Sequence, residues 1–118
     1  MNKRRSFIVG IKSTSLSVKE AHFLKKYKPW GIILFSRNIK TVLQTKKLTN
    51  KIRKIFKDDK YPILIDQEGG RVNRLRKFFN AGSLTSEYFG KLYKKDINKF
   101  NSHYKIFTNK ISFLLKLI

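Results

Sequence analysis

The chain has 118 residues, 41% of them hydrophobic and 14% aromatic, with 28 Lys and Arg against 7 Asp and Glu, for a formal net charge of +21. That length bounds it to one domain or a piece of one, and the apolar fraction is too high for a charge-repelled disordered chain. With no cysteine and only two isolated histidines, a disulfide framework and a thiolate or histidine-rich metal site are excluded, and no cofactor is expected.

The start MNKRRSFIVGIK is basic, but its apolar run stops at Lys12, too short for the core of an export signal. Nothing in the sequence approaches a membrane span. A cytoplasmic protein is the expectation. Such a basic chain suggests nucleic acid as a partner. Yet Lys outnumbers Arg 21 to 7, and the lysines are spread along the chain instead of forming a block. Scattered lysine solvates helix faces, whereas bidentate phosphate and base contacts favour arginine. A basic α/β nucleic-acid-binding module is therefore the alternative reading, with contacts that are nonspecific if they occur at all.

Residues 6–11, SFIVGI, form a short β-branched apolar run between charges and predict a buried strand. Ser17 followed by Glu20 is a capping-box spacing, and Val18, Ala21, Leu24 and Tyr27 then recur at helical intervals up to Pro29. Residues 32–36, IILFS, predict a second strand of the kind covered on both faces. After a short loop at Arg37, Asn38 and Ile39, Thr41 and Gln44 repeat the capping spacing, and Leu48, Ile52 and Ile55 mark a second apolar stripe. Asp58, Asp59 and Lys60 end that helix, and residues 61–65, YPILI, predict a third strand with its proline where a missing donor matters least.

Strands beginning near residues 6, 31 and 61 are spaced by 25 and 30 residues and alternate with helices, which implies a parallel sheet. A (β/α)₈ barrel spends about 31 residues on each unit, so the spacing fits a barrel as well as a small open sheet. From Ile97, the positions Phe100, Tyr104, Phe107, Ile111, Leu114 and Ile118 alternate steps of three and four, predicting a long amphipathic helix. The final FLLKLI carries no capping signal, so a truncated chain is expected. Three strands of a barrel would leave a sheet face without its opposing wall and open strand edges, and a partly ordered or aggregation-prone product is expected.

In parallel α/β folds, ligand groups gather at the carboxyl ends of strands, and DQEGGRVNR follows the third strand at such an end. Asp66 can accept two sugar hydroxyls, an arginine such as Arg71 or Arg74 supplies a rigid fork of donors, and Gly69 and Gly70 allow a sharp turn. Asp66 and Glu68 in an extended segment would have alpha carbons about 6.6 Å apart. That lies within the range of roughly 5 to 9.5 Å used by glycosidase carboxyl pairs. The competing possibility is that both acids pair with Arg71, Arg74 or Arg76 and only fix the loop. A phosphate loop is disfavoured, because GGR has neither GxGxxG nor GxxxxGK spacing.

The run ILIDQEGGRVNRLR, preceded about thirty residues earlier by WGIILFSRNI, resembles the N-terminal part of bacterial β-N-acetylglucosaminidases of glycoside hydrolase family 3. The resemblance covers most of residues 6–93 and more weakly the helix to 118. It implies an α/β fold in which residues 1–118 are an incomplete N-terminal part, about three β/α units, of a (β/α)₈ barrel. It also implies a hydrolase that removes terminal N-acetylglucosamine from peptidoglycan fragments in the cytoplasm during cell-wall recycling.

Carried over by position, Asp66 matches the carboxylate that holds sugar hydroxyls, and Arg74 matches a substrate-binding arginine. Glu68, Gly69, Gly70 and Arg71 look like loop-shaping residues. The family's nucleophile, an aspartate on a later strand, and its proton-donor histidine, in a KHFPGHG-like loop, have no counterpart here. His22 and His103 lack the surroundings of such a donor and are expected to be structural. No catalytic residue is therefore assigned, and the chain is expected to be inert alone.

Overall fold

The computed structural model describes residues 4–118, and the basic start at residues 1–3 lies outside them. The chain divides into two compact units, Met1–Asp66 and Gln67–Ile118. In the first unit, β1 (Arg5–Gly10), α1 (Val18–Tyr27), β2 (Pro29–Leu34), α2 (Val42–Phe56) and β3 (Ile63–Ile65) alternate, with a 3-10 turn at Ser36–Asn38 after β2. The sheet has the order β1-β2-β3 and both pairings are parallel, with Ile8 opposite Gly31, Gly10 opposite Ile33, and Leu34 opposite Ile65. This is the α/β architecture expected from the alternation.

The boundaries differ from the expected ones in instructive ways. β2 begins at Pro29, three residues earlier than the apolar run suggested, because a proline at the first position of a strand gives up no necessary donor. What ends α1 is Lys28, whose backbone is left-handed at φ 48° and whose N–H donates to Leu24 O. β3 is only Ile63–Ile65, so Tyr61 precedes the strand. The Ser17 and Glu20 pair forms the full capping box: Glu20 N–H donates to Ser17 Oγ at 3.2 Å and Ser17 N–H to Glu20 Oε2 at 2.9 Å. Burial pushes the Glu20 pKa up, but donors from Lys12 N and Ser17 outweigh this and hold it below the ordinary carboxylate value. At α2 only half the box forms. Gln44 N–H donates to Thr41 Oγ1, while the Gln44 carbonyl accepts from Lys40 N–H instead of Thr41.

Leu24 from α1, Ile32 and Leu34 from β2, and Leu48 and Ile52 from α2 are almost wholly buried and make up the core of this unit. Each such side chain contributes about 1.5 to 3 kcal/mol by leaving water. Tyr61 joins them: its ring stacks on Phe56 at 3.8 Å, the Arg4 guanidinium lies 5.0 Å from its centroid, and its hydroxyl donates to Pro29 O at 2.8 Å. Burial raises the Tyr61 pKa to about 12, against the lowering effect of Arg4. The neutral phenol is thus preferred in the fold, and its stabilising effect is complete below pH 10 and lost as pH rises through about 12. In an alkaline titration of phenolate absorbance, one tyrosine should ionise late and together with loss of β2 structure, and Tyr61→Phe should remove that late step.

Lys28 and Lys57, the C-caps of α1 and α2, are the only non-glycine residues with positive φ among the described residues, at 48° and 49°. Glycine is the usual choice at such a cap. A side chain there costs about 1 to 2 kcal/mol through contact of Cβ with the following carbonyl.

The second unit consists of a loop followed by α3 (Ser86–Lys95) and α4 (Ile97–Leu117). α4 is the long amphipathic helix that the three-and-four spacing predicts. Asp96 joins the two helices, ending α3 with its N–H on Leu92 O and starting α4 by accepting Lys99 N–H at 2.9 Å. Phe89 on α3 is buried against the aromatic ridge of α4, edge-on to Tyr104 at 5.1 Å and Phe100 at 6.2 Å, with Phe107 at 5.3 Å. Such pairs add about 0.5 to 1.5 kcal/mol each beyond their buried area. No helix among the described residues is long and apolar enough to cross a membrane.

Candidate functional site

Asp66 directly follows β3 and is solvent-exposed, so the first unit delivers it at the carboxyl end of its last strand. Upstream, the SRN segment of the earlier motif is structural. Asn38 is fully buried at the end of the 3-10 turn, where its amide donates to Ile11 O at 3.0 Å and Ser13 O at 2.8 Å and accepts Phe35 N–H at 2.9 Å. Arg37 donates Nε–H to the same Ile11 carbonyl at 3.0 Å, and its guanidinium lies 4.6 Å from the Phe35 ring centroid. Together they tie the segment after β1 to the carboxyl end of β2.

In the second unit, residues 67–75 form a tight loop. The Glu68 and Gly69 N–H groups both donate to Val72 O, at 3.2 and 3.1 Å, and Val72 N–H returns to Gly69 O at 3.1 Å. Gly69 and Gly70 have φ of 86° and 55°, conformations that explain why two glycines stand here. The Gln67 amide oxygen accepts Arg74 N–H at 2.8 Å and Leu75 N–H at 3.2 Å, so the backbone of Arg74 is held from within its own unit. Asn73 is buried, donating to Phe79 O at 2.8 Å and accepting Leu75 N–H at 3.1 Å.

Amides and backbone therefore shape the loop. Glu68, Arg71 and Arg76 are exposed and form no ion pair among the described residues, so for these three the ion-pair explanation of the cluster does not hold. Of the four residues expected to shape the loop, Gly69 and Gly70 do so by their left-handed backbone and Glu68 by its N–H, whereas the Arg71 side chain is exposed and makes no hydrogen bond or ion pair among the described residues. Gln67 stands in the sequence at the carboxyl end of the third strand without an assigned role and Asn73 is not singled out, because an amide beside a Gly-Gly pair gives no signal of which backbone groups it will meet. His22 is exposed on α1, and His103 is half-buried with Nδ1 2.9 Å from Tyr88 Oη. Among the described residues no group of three His, Asp or Glu comes together as a metal site.

A parallel α/β sheet that presents an aspartate at the carboxyl end of a strand is the kind of scaffold on which α/β proteins place ligand groups. Comparison with known proteins narrows this. The chain is 35% identical over 89 residues to the β-hexosaminidase of Xanthomonas campestris pv. campestris, an alignment covering 75% of this chain and 26% of that protein. Among solved structures, it superposes on NagZ of Neisseria gonorrhoeae in complex with zinc ion at a TM-score of 0.68 and 32% identity, covering 79% of this chain and 27% of that one. A complex of the same NagZ with N-trifluoroacetyl-D-glucosamine matches at a TM-score of 0.55 and 35% identity, covering 60% of this chain and 21% of that one. No family model matches. The chain is thus related, over part of its length, to the β-hexosaminidases of the NagZ type, and it spans about a quarter of the length of the curated relatives it matches.

Proposed function

We propose that the chain carries part of the sugar-binding floor of a glycoside hydrolase family 3 β-N-acetylglucosaminidase. The observation that carries this reading is the 35% identity over 75% of the chain to a β-hexosaminidase, in agreement with the structural match to NagZ. In this reading the 118 residues correspond to the N-terminal portion of a (β/α)₈ barrel. Asp66 accepts hydroxyl hydrogen bonds from a terminal N-acetylglucosamine, and Arg74 is a substrate-binding arginine. The NagZ complex with an N-acylated glucosamine supports the choice of sugar. The substrate is a peptidoglycan fragment, and the setting is cell-wall recycling in the cytoplasm.

Retaining hydrolysis needs one group to protonate the leaving oxygen and another to attack the anomeric carbon. The sequence has no counterpart of the family's donor loop, and binding groups alone give no selective stabilisation of the transition state. The 118-residue chain is therefore expected to release no chromophore from a chromogenic N-acetylglucosaminide. Release above background that disappears in Asp66→Ala would overturn that expectation. The binding role is tested separately, by following backbone amide resonances of residues 66–75 during titration with N-acetylglucosamine. Saturable shifts that vanish in Asp66→Ala are expected, and their absence in the unsubstituted chain at high sugar concentration would remove the sugar-binding reading.

A further inference from the structure

At the opposite end of the sheet from Asp66, the first unit has a cleft of about 220 Å³ lined by Arg4, Lys25, Lys28, Ile55, Phe56 and Lys57. Four of the six lining residues are cationic and none is acidic. Arg4 stands immediately before β1 and Lys28 immediately before β2, and the two segments are joined by Arg5 N–H donating to Lys28 O at 2.8 Å. We propose that this cleft binds a phosphoryl group. It takes no part in the sugar-binding reading and stands or falls independently of it.

Two observations converge on the cleft. The first is its unmatched charge: Arg4 is paired with Asp58, but Lys25, Lys28 and Lys57 have no carboxylate partner among the described residues. The second is backbone conformation. The only two non-glycine residues in left-handed conformation among those described are Lys28 and Lys57, and both line this cleft. Strain of this kind gathers where a side chain is needed at a particular place. Glycine would serve both caps with less strain. Compensation of the helix dipoles does not require the lysines either. α1 already has Lys26 in its last turn and α2 has Arg53 and Lys54.

Three lysines without carboxylate partners among the described residues line this small cleft beside Ile55, Phe56 and the Asp58-paired Arg4, and their charge suits a compact anion of charge near −2, which at neutral pH describes a phosphate monoester. The phosphoryl oxygens come either from a small phosphate monoester or, as diesters with a single charge each, from a nucleic-acid backbone.

Substitution with glycine separates binding from folding, because Lys28→Gly and Lys57→Gly remove the cations while relieving the strain. Calorimetric titration of the 118-residue chain with inorganic phosphate, at ionic strength held constant with chloride, should show saturable binding. The Lys28→Gly/Lys57→Gly double variant should bind about tenfold more weakly, as expected for loss of two charge-assisted contacts, while its β2 amides exchange more slowly than in the parent. Lys25→Gln, which leaves both caps intact, should also weaken binding. A short DNA duplex separates the sources: a parallel loss of duplex affinity in the double variant supports a backbone phosphate. Lost phosphate binding with unchanged duplex affinity supports a small phosphorylated ligand. Absence of phosphate-dependent heat in the parent, or equal affinity in parent and double variant, would overturn the proposal.

Discussion

Replacing Asn38 with alanine is expected to weaken the first unit by about 3 kcal/mol, as the sum of lost hydrogen bonds and newly unsatisfied buried groups. The amide makes three bonds from a fully buried position, and alanine can replace none of them. Ile11 O would retain the Arg37 Nε–H donor, but Ser13 O and Phe35 N–H would lose the partners described here. Amide exchange in β2 reads the loss directly, with protection at Ile32 and Leu34 falling roughly a hundredfold if the opening passes through this region. Asn38→Asp separates hydrogen bonding from volume. A carboxylate can still accept Phe35 N–H, but it cannot donate to the two carbonyls and faces them with charge. Near neutral pH it should be at least as damaging as alanine, and retained protection in Asn38→Asp would show that shape and not donation holds the turn.

Asn38 also marks where sequence reading stops. The helices of the first unit were legible because their signals are local: Ser17 and Glu20 announce α1, and Thr41 announces α2. The strands were legible as apolar runs, although their ends shifted wherever one backbone bond decided the matter, as Lys28 O accepting from Arg5 N–H extends β2 to Pro29. Asn38 has no such local signal. Its partners at Ile11 and Ser13 lie 27 and 25 residues earlier, and nothing in a loop reading RNI says that its asparagine will be buried. α3 was missed for another reason. It has only ten residues with Gly90 among them, and its N-cap Thr85 is followed three residues later by Tyr88 instead of the Glu or Gln that marks α1 and α2, so no capping-box spacing announces it. At the candidate site, Asp66 and the glycine pair were visible because a strand end and a turn are sequence features. The amides of Gln67 and Asn73 that hold the loop were not, because an amide's value depends on which backbone groups the folded loop brings to it.

The glycine pair gives the second large expected effect. Gly69→Ala and Gly70→Ala should each cost about 1 to 2 kcal/mol of loop stability for a side chain at positive φ, which amide exchange at Val72 can measure. The two positions differ in what surrounds them. A Cβ at Gly69 would meet Leu84 O and Phe107 Cζ at 3.6 Å, ordinary contact, so conformation alone sets the cost there. A Cβ at Gly70 would stand 3.1 Å from Thr85 Cγ2, adding a steric cost to the conformational one. Thr85 cannot move freely, because its hydroxyl accepts Tyr88 N–H at 3.0 Å and caps α3. Thr85→Ser keeps that cap and deletes the methyl group. It should therefore recover part of the loss in Gly70→Ala, with a coupling of about 1 kcal/mol in a double-mutant cycle, and none of the loss in Gly69→Ala. Equal recovery at both positions would mean that the serine acts through α3 as a whole. Recovery at Gly70 alone would show that the loop and the first turn of α3 are packed as one unit, so that the backbone carrying Arg74 is held by contacts from α3 as well as by Gln67.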